Sequence, residues 1–361
     1  MVLVLAGSTI MISGIDGEEP SNGNVASVNG QGYGTLQEAL DAAQDGDVVT
    51  ILDDIKLEAN SNNVGVYINS GVTIEGNGHT ISTDSAKYLL RTADDSSFGT
   101  ALTIRDLNLV NNFASTGAMC LITWGMTSDL VLENVSMKAD SGPNSQPLTI
   151  SGTSSVMIDV TIKGCSIISS DSGYDIISFN PVDMTITDTY LEGWAVIYMK
   201  TATSGGGAGT HDSVIEVSDS EIVSINNHTG ARNDFCAIVF QDTNTSITLT
   251  DVDVTVGETA GNRQSLFGSD PYTYDAGLNF FSIGGDNTTV TFVGENVTML
   301  YVYQSEEYIV DGDCEITGGT FVNVDSSEIT QHLAEGLEVS IGSDGKMSVS
   351  EPETNPPIIW D

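Results

Sequence analysis

The chain has 361 residues, of which 50 are Asp or Glu and 10 are Lys or Arg, so its formal net charge at pH 7 is −40. A surface this negative repels phosphate backbones and anionic membrane faces, which excludes nucleic acid as a partner. Hydrophobic residues make up 40% of the chain, enough to bury a core, so the acidity does not indicate a disordered protein.

The first 29 residues are interpreted as an apolar leader or attachment segment followed by a polar linker. Residues 1–14 are too short to span a bilayer and are preceded by no basic residue, so they fit either a secretion-signal remnant or an ordinary first strand. The rest of the chain shows no transmembrane span. We expect a single domain at residues 30–350 and a C-terminal tail at residues 351–361.

One helix is predicted near the start of this domain. Thr35 and Glu38 have the spacing of a capping box, and Gly46 is placed to end the helix. The apolar stripe between them comprises Leu36, Ala39, Leu40 and Ala43. This helix is expected to cover one end of the fold.

A fixed pattern then recurs eight times: apolar, any, apolar, any, and Asp, Asn or Gly. The copies begin at Leu102, Leu130, Val160, Met184, Ile215, Ile247, Val290 and Cys314, with a looser copy at Val72. Alternating apolar residues before a residue that tolerates left-handed backbone angles predict a strand, a bend and another strand. Repeats of this length indicate stacked coils.

A third strand is predicted before each pair. These strands are Cys120 to Trp124, Leu148 to Ser151, Ile176 to Phe179, Ala195 to Lys200, Cys236 to Gln241, Leu278 to Ile283 and Leu300 to Tyr303. Three strands per coil predict an all-β parallel β-helix of about nine to eleven coils; a β-sandwich is the alternative fold. A helix from Asp325 to Gly336 and a hairpin around Ser343-Asp344-Gly345 are expected to cap the far end.

The sequence resembles the pectate-lyase-like right-handed β-helix, and more narrowly the adhesin-like surface proteins of anaerobic gut bacteria. The resemblance rests on three stretches: Gly34 to Leu40 running into Asp45 to Ile51, Val72 to Ile81, and Leu333 to Gly336 continuing to Met347 to Val349. It covers roughly Val25 to Ser350 and implies a right-handed solenoid. In the enzymes of this group, acids and bases on the outside of the first strand of each coil bind calcium and substrate.

Those enzymatic signatures are missing here. If Cys120, Ile122, Ile238 and Phe240 point inward, the outward positions contain no carboxylate cluster. These positions are Thr123, Thr149, Ser178, Tyr198, Lys200, Gln241, Ser282 and Tyr303. The related hydrolases have paired aspartates, a Gly-His-Gly and an Arg-x-Lys, and these motifs are also absent. In place of a Gly-His-Gly, Gly78-His79 continues as Thr80. The sequence assigns no catalytic residue and favours a protein that is not an enzyme.

Three aspartates at bend positions, Asp188, Asp219 and Asp251, would stack about 4.8 Å apart. A Ca²⁺ column is the functional interpretation, since calcium prefers carboxylate oxygens. The structural interpretation, exposed bend residues, is favoured by turn preference alone. The four cysteines lie far apart in the repeat, so neither a zinc site nor a disulfide is expected.

Loops on one face of the solenoid are the better candidates for ligand binding. Aromatic rings beside polar groups suit stacking on sugars. The candidate residues are His211, His228, Arg232, Asp234, Arg263, Tyr272, Tyr274 and Tyr198.

The sequence therefore predicts a non-catalytic protein of the extracellular space or cell surface, an adhesin-like or glycan-contacting module. A polysaccharide lyase or glycoside hydrolase using His228 and Arg232 is the first alternative. A phage fibre or capsid-decorating protein of the virion, which would be expected to be a trimer, is the second.

Overall fold

The computed structural model describes most of the chain up to residue 256 and separate elements beyond it. The described residues are 23–94, 97–152, 155–201, 207–225, 236–242, 244–256, 264–268, 278–283, 289–293, 298–301, 313–316, 320–322, 326–331, 333–343, 345 and 347–352. They form a right-handed parallel β-solenoid, as predicted. Within this part of the chain the solenoid has about seven turns, fewer than the nine to eleven predicted, and antiparallel strand pairs lie at its two ends.

Each coil contributes strands to two sheets. In the described residues, the shorter sheet has nine parallel strands: Val64–Ile68, Tyr88–Thr92, Met119–Trp124, Leu148–Ser151, Ile176–Ser178, Ile197–Met199, Cys236–Phe240, Gln264–Gly268 and Leu278–Ile283. The prediction of a third strand from Leu300 to Tyr303 is wrong. The strand there is Thr298–Tyr301, which pairs with Asp253–Val256 in the other sheet.

The longer sheet has 22 strands in the described part of the chain and wraps the other sides of the solenoid. They are Ala26–Val28, Gln31–Tyr33, Val48–Ile51, Ile55–Leu57, Thr73–Glu75, Thr80–Thr83, Leu102–Asn111, Leu130–Ala139, Ile158–Lys163, Ser166–Ser169, Val182–Thr187, Tyr190–Gly193, Val214–Ser218, Glu221–Ser224, Ser246–Thr250, Asp253–Val256, Thr289–Val293, Thr298–Tyr301, Asp313–Ile316, Thr320–Val322, Glu338–Ile341 and Met347–Ser350.

The repeated sequence pattern forms the inner wall of this sheet. Its central apolar residues stack in register from coil to coil and are at most 1% exposed: Ile104, Leu132, Ile162, Ile186, Val217 and Leu249. The bend residues that follow have left-handed backbone angles, with φ from 50° at Asp106 to 64° at Gly164. Asp, Asn and Gly accept this conformation at low cost, so the pattern encodes both the core and the turn.

The N-terminal cap has the predicted capping box, but its helix ends earlier than predicted, with Ala43 already extended before Gly46 is reached. The helix Leu36–Ala42 starts at Thr35, whose hydroxyl accepts from the Glu38 backbone N–H while the Glu38 carboxylate accepts from the Thr35 N–H. Leu36, Ala39 and Leu40 are buried against the first coil. The cap thereby covers apolar residues that an open coil end would expose to water.

The C-terminal cap has a shorter helix than predicted, Ser326–Gln331. Residues 334–337 form a turn instead, in which the Leu337 N–H donates to the Ala334 carbonyl over 3.2 Å. Gly336 has φ 89°, a left-handed backbone conformation that glycine adopts readily in such a turn. The predicted hairpin is confirmed, since Glu338–Ile341 pairs antiparallel with Met347–Ser350.

Candidate functional site

A groove lies on the outer face of the shorter sheet, across its first three strands. Tyr67, Arg91 and Ile122 are successive register partners in these strands, and Trp124 follows two residues after Ile122. The groove has a volume of about 340 Å³ and is lined by Asn62, Val64, Tyr67, Tyr88, Arg91, Asp94 and Trp124. Its size falls at the lower end of the range for small-molecule sites.

Arg91 lies at the centre of the groove, between two aromatic rings. Its guanidinium carbon is 5.5 Å from the centroid of the Tyr67 ring and 5.3 Å from that of the Trp124 ring. One Nη2–H donates to the Asp94 carboxylate. The Arg91 side chain is 15% exposed whereas that of Asp94 is 68% exposed. The cation–π contacts and the ion pair together fix the guanidinium in one place.

The backbone beneath the groove holds these side chains in position. Gln37 of the capping helix brackets Tyr67: its Nε2 donates to the Tyr67 carbonyl over 3.1 Å, and its Oε1 accepts from the Tyr67 N–H over 2.8 Å. Asn62 Nδ2 donates to the Tyr67 hydroxyl over 3.2 Å. The Trp124 N–H donates to the buried hydroxyl of Thr92 over 2.7 Å. The Tyr67 ring and the backbone at Trp124 are therefore positioned before any ligand binds.

Sequence reasoning missed this groove because the alternation of the third strand changes phase. The N–H groups of Cys120 and Leu121 both donate to the Pro147 carbonyl, over 3.0 and 2.8 Å, and both side chains lie in the core. Such a bulge shifts the inside and outside positions by one residue.

The predicted orientations are reversed at Ile122 and Thr123, which follow this bulge, and at Ser178. Ile122 shares its register position with Arg91 and Thr149 on the outer face, not the inner one. Thr123 and Ser178, predicted to point outward, are buried in register with the core residue Ile150.

Two of the predicted binding residues are described. His211 Nδ1 lies 3.0 Å from Oδ2 of Asp212, and Asn244 Nδ2 donates to Oδ1 of Asp212 over 2.9 Å. These two contacts, the one with His211 first, lower the pKa of the Asp212 carboxyl. The other predicted residues lie outside the described part of the chain: His228, Arg232, Asp234, Arg263, Tyr272 and Tyr274.

Tyr198 is buried in a second apolar cluster on the outer face of the same sheet. Its ring stacks on Tyr174 with centroids 5.0 Å apart, and its hydroxyl accepts from Gln241 Nε2 over 2.7 Å. The Lys200 ammonium lies 4.3 Å from its ring centroid. Along the sheet, Tyr198 is four strands from Arg91, about 19 Å, so the structure does not bring it to the groove.

The bend aspartates are stacked as the repeat predicts. Asp188, Asp219 and Asp251 have φ between 50° and 53°, and the N–H groups of Asp188 and Asp219 donate to backbone carbonyls of the next coil. In the part of the chain that the structure describes, no group of three or more His, Cys, Asp or Glu side chains is arranged to hold a metal ion. The left-handed backbone conformation is enough to explain why aspartate occurs at these three bend positions.

Comparison of the chain with protein-family models, with curated proteins and with solved structures gave no match. Of the helices in the described residues, none has the length and apolar composition needed to cross a membrane. The arrangement of the groove itself is therefore the basis for a functional proposal.

Proposed function

We propose that the protein is a non-catalytic, adhesin-like module of the pectate-lyase-like β-helix type that acts outside the cell or on its surface and contacts glycans through the groove. The observation that carries this proposal is the cluster of Tyr67, Arg91 and Trp124 on a rigid sheet. Partly exposed rings beside hydrogen-bonding groups suit the apolar faces and hydroxyls of sugars. The resemblance to the pectate-lyase-like β-helix and to adhesin-like surface proteins supports the same function.

The composition of the groove favours binding over catalysis. Asp94 is the one carboxylate among its lining residues, and it is paired with Arg91. Glycoside hydrolysis ordinarily uses two carboxyl groups, one on each side of the scissile bond. A glycoside hydrolase would therefore need its second carboxyl group elsewhere in the chain.

The proposal is tested by incubating the purified protein with plant and host polysaccharides, with and without Ca²⁺. Retention on the polymer and release of shortened or unsaturated products are both measured. We expect retention without products, and loss of retention in Trp124→Ala. Tyr190→Ala, which removes a ring from the longer sheet, is the matched control and should bind normally.

Two outcomes would overturn the proposal. Product formation by the wild-type protein would make it an enzyme. Retention of no polymer would instead favour a structural role, such as a fibre component, and trimers in sedimentation analysis would support that alternative.

A further inference from the structure

Arg91 and Asp94 together present hydrogen-bond donors and acceptors side by side. A guanidinium has five N–H donors. Among the described residues, only Asp94 accepts a hydrogen bond from the Arg91 guanidinium. Asp94 is the more exposed of the two, so its carboxylate oxygens face solvent at the groove. Two adjacent sugar hydroxyls match this pair, because each can accept from an N–H and donate to a carboxylate.

The charge of the groove disfavours an anionic ligand. The Tyr67 and Trp124 rings contact the guanidinium, and Asp94 already neutralises its positive charge. An incoming carboxylate would have to displace Asp94 and approach a protein with a net charge of −40. The Lys87 ammonium lies over the ring of the lining residue Tyr88, 5.2 Å from the centroid.

The dimensions of the groove fit a short stretch of polymer. Tyr67 and Ile122 are separated by two strand steps, about 9.6 Å along the solenoid axis, and Trp124 extends the same strand as Ile122. With a volume of about 340 Å³, the groove has room for one or two sugar rings and not for a whole oligosaccharide.

Building on the proposed glycan-contacting function, we infer that the groove selects uncharged sugar units with two adjacent free hydroxyls. The Arg91–Asp94 pair binds the hydroxyls, and the Tyr67 and Trp124 rings contact the apolar faces of the sugar. The Arg91–Asp94 ion pair thus makes the groove bind neutral glycans in preference to uronates.

The test compares soluble neutral polymers, a mixed-linkage β-glucan and a galactomannan, with polygalacturonate by titration calorimetry. We expect binding of a neutral polymer whose affinity changes less than about twofold between about 50 and about 500 mM NaCl, because no net charge is exchanged. Periodate oxidation, which cleaves adjacent diols, should weaken binding of the same polymer at least about tenfold.

Variants separate the contributions of the charges. Asp94→Asn leaves the guanidinium unneutralised, so it should weaken neutral binding and create salt-sensitive binding of polygalacturonate. Lys87→Gln should leave affinity unchanged. Circular dichroism melting confirms that each variant is folded.

The possible failures are distinguishable. If the wild-type protein prefers polygalacturonate, if Lys87→Gln abolishes binding, or if periodate treatment has no effect, the inference is wrong while glycan contact stands. If no polymer in the panel binds, the proposed function itself is wrong.

Discussion

The side-chain amide of Asn134 donates to Oδ1 of Asp106, one coil earlier, over 3.0 Å. Both residues occupy the bend and have left-handed backbone angles. The same pairing of an amide with a carboxylate recurs at other turns: Asn29 with Asp47, Asn112 with Asp84, and Asn244 with Asp212. In so acidic a chain, each of these amides places a neutral hydrogen-bond donor beside a carboxylate, where a second carboxylate would repel it.

Replacing this amide by a carboxylate should destabilise the solenoid. We expect Asn134→Asp to lower the free energy of unfolding by up to about 1 kcal/mol at low salt, because two like charges would face each other across adjacent strands. High salt should reduce the loss. Urea unfolding at both salt concentrations measures it.

Asn144→Asp is the matched control, since Asn144 has a similar φ of 52° but donates to the Thr116 hydroxyl. An equal loss in both variants would contradict the explanation by like-charge repulsion.

A second prediction concerns a column of alternating charges on the longer sheet. Glu75, Arg105, Glu133 and Lys163 are successive register partners, and Arg105 Nε donates to the Glu75 carboxylate. Arg105→Glu would place three acids in a row and should cost more stability than Arg105→Gln. The difference between the two variants in urea unfolding should shrink at high salt; a salt-independent difference would indicate lost packing instead.

The pH dependence of stability should reflect Asp175, which is fully buried. Its Oδ1 accepts from the Ser169 N–H over 3.0 Å, and its Oδ2 has no hydrogen-bond partner among the described residues. Burial, and to a smaller extent the negative charge of Glu192, raises the pKa of this carboxyl well above its ordinary value of 3.8. The folded protein therefore holds a proton that the unfolded chain releases.

The free energy of unfolding should therefore fall as pH rises, because the folded protein holds the extra proton. The stabilising contribution of protonated Asp175 is fully present below pH 3.8, the ordinary pKa of the unfolded chain. It is lost as pH rises toward and through the folded pKa, by about 1.4 kcal/mol per pH unit while one proton is released on unfolding. Asp175→Asn, which keeps the shape and cannot ionise, should remove this slope.

Urea unfolding of both proteins across this pH range measures the effect. Parallel stability curves for wild type and Asp175→Asn would show that the carboxyl does not stay protonated in the fold.

The Cys120 thiol should be unreactive in the folded protein. It is buried in the core and lies 3.4 Å from the Lys138 carbonyl, and burial raises its pKa to about 12. Because the thiolate is the nucleophile, we expect labelling by iodoacetamide at pH 8 only when the coil opens. Peptide mapping by mass spectrometry locates the label, and rapid modification of native Cys120 would contradict its placement in the core.

The solenoid could be predicted from the sequence because each repeat contains both the core residues and the bend residue. Ile104 and Asp106, for example, lie two positions apart, so one short motif defines the inner wall and the turn. The groove could not be predicted in this way. Tyr67, Arg91 and Trp124 come from three coils, and their proximity depends on register and on the bulge at Cys120, which no periodic pattern contains.

The two hydrogen bonds between the Gln37 side chain and the backbone of Tyr67 join the capping helix to the wall of the groove. A glycan bound there would stabilise the terminal coil, the part of a solenoid from which unfolding can begin, more than the coils at its centre. Glycan binding would therefore also protect the N-terminal end of the solenoid against fraying. Slower hydrogen exchange in the capping helix should therefore report glycan binding at the Tyr67 ring, which lies on the neighbouring strand.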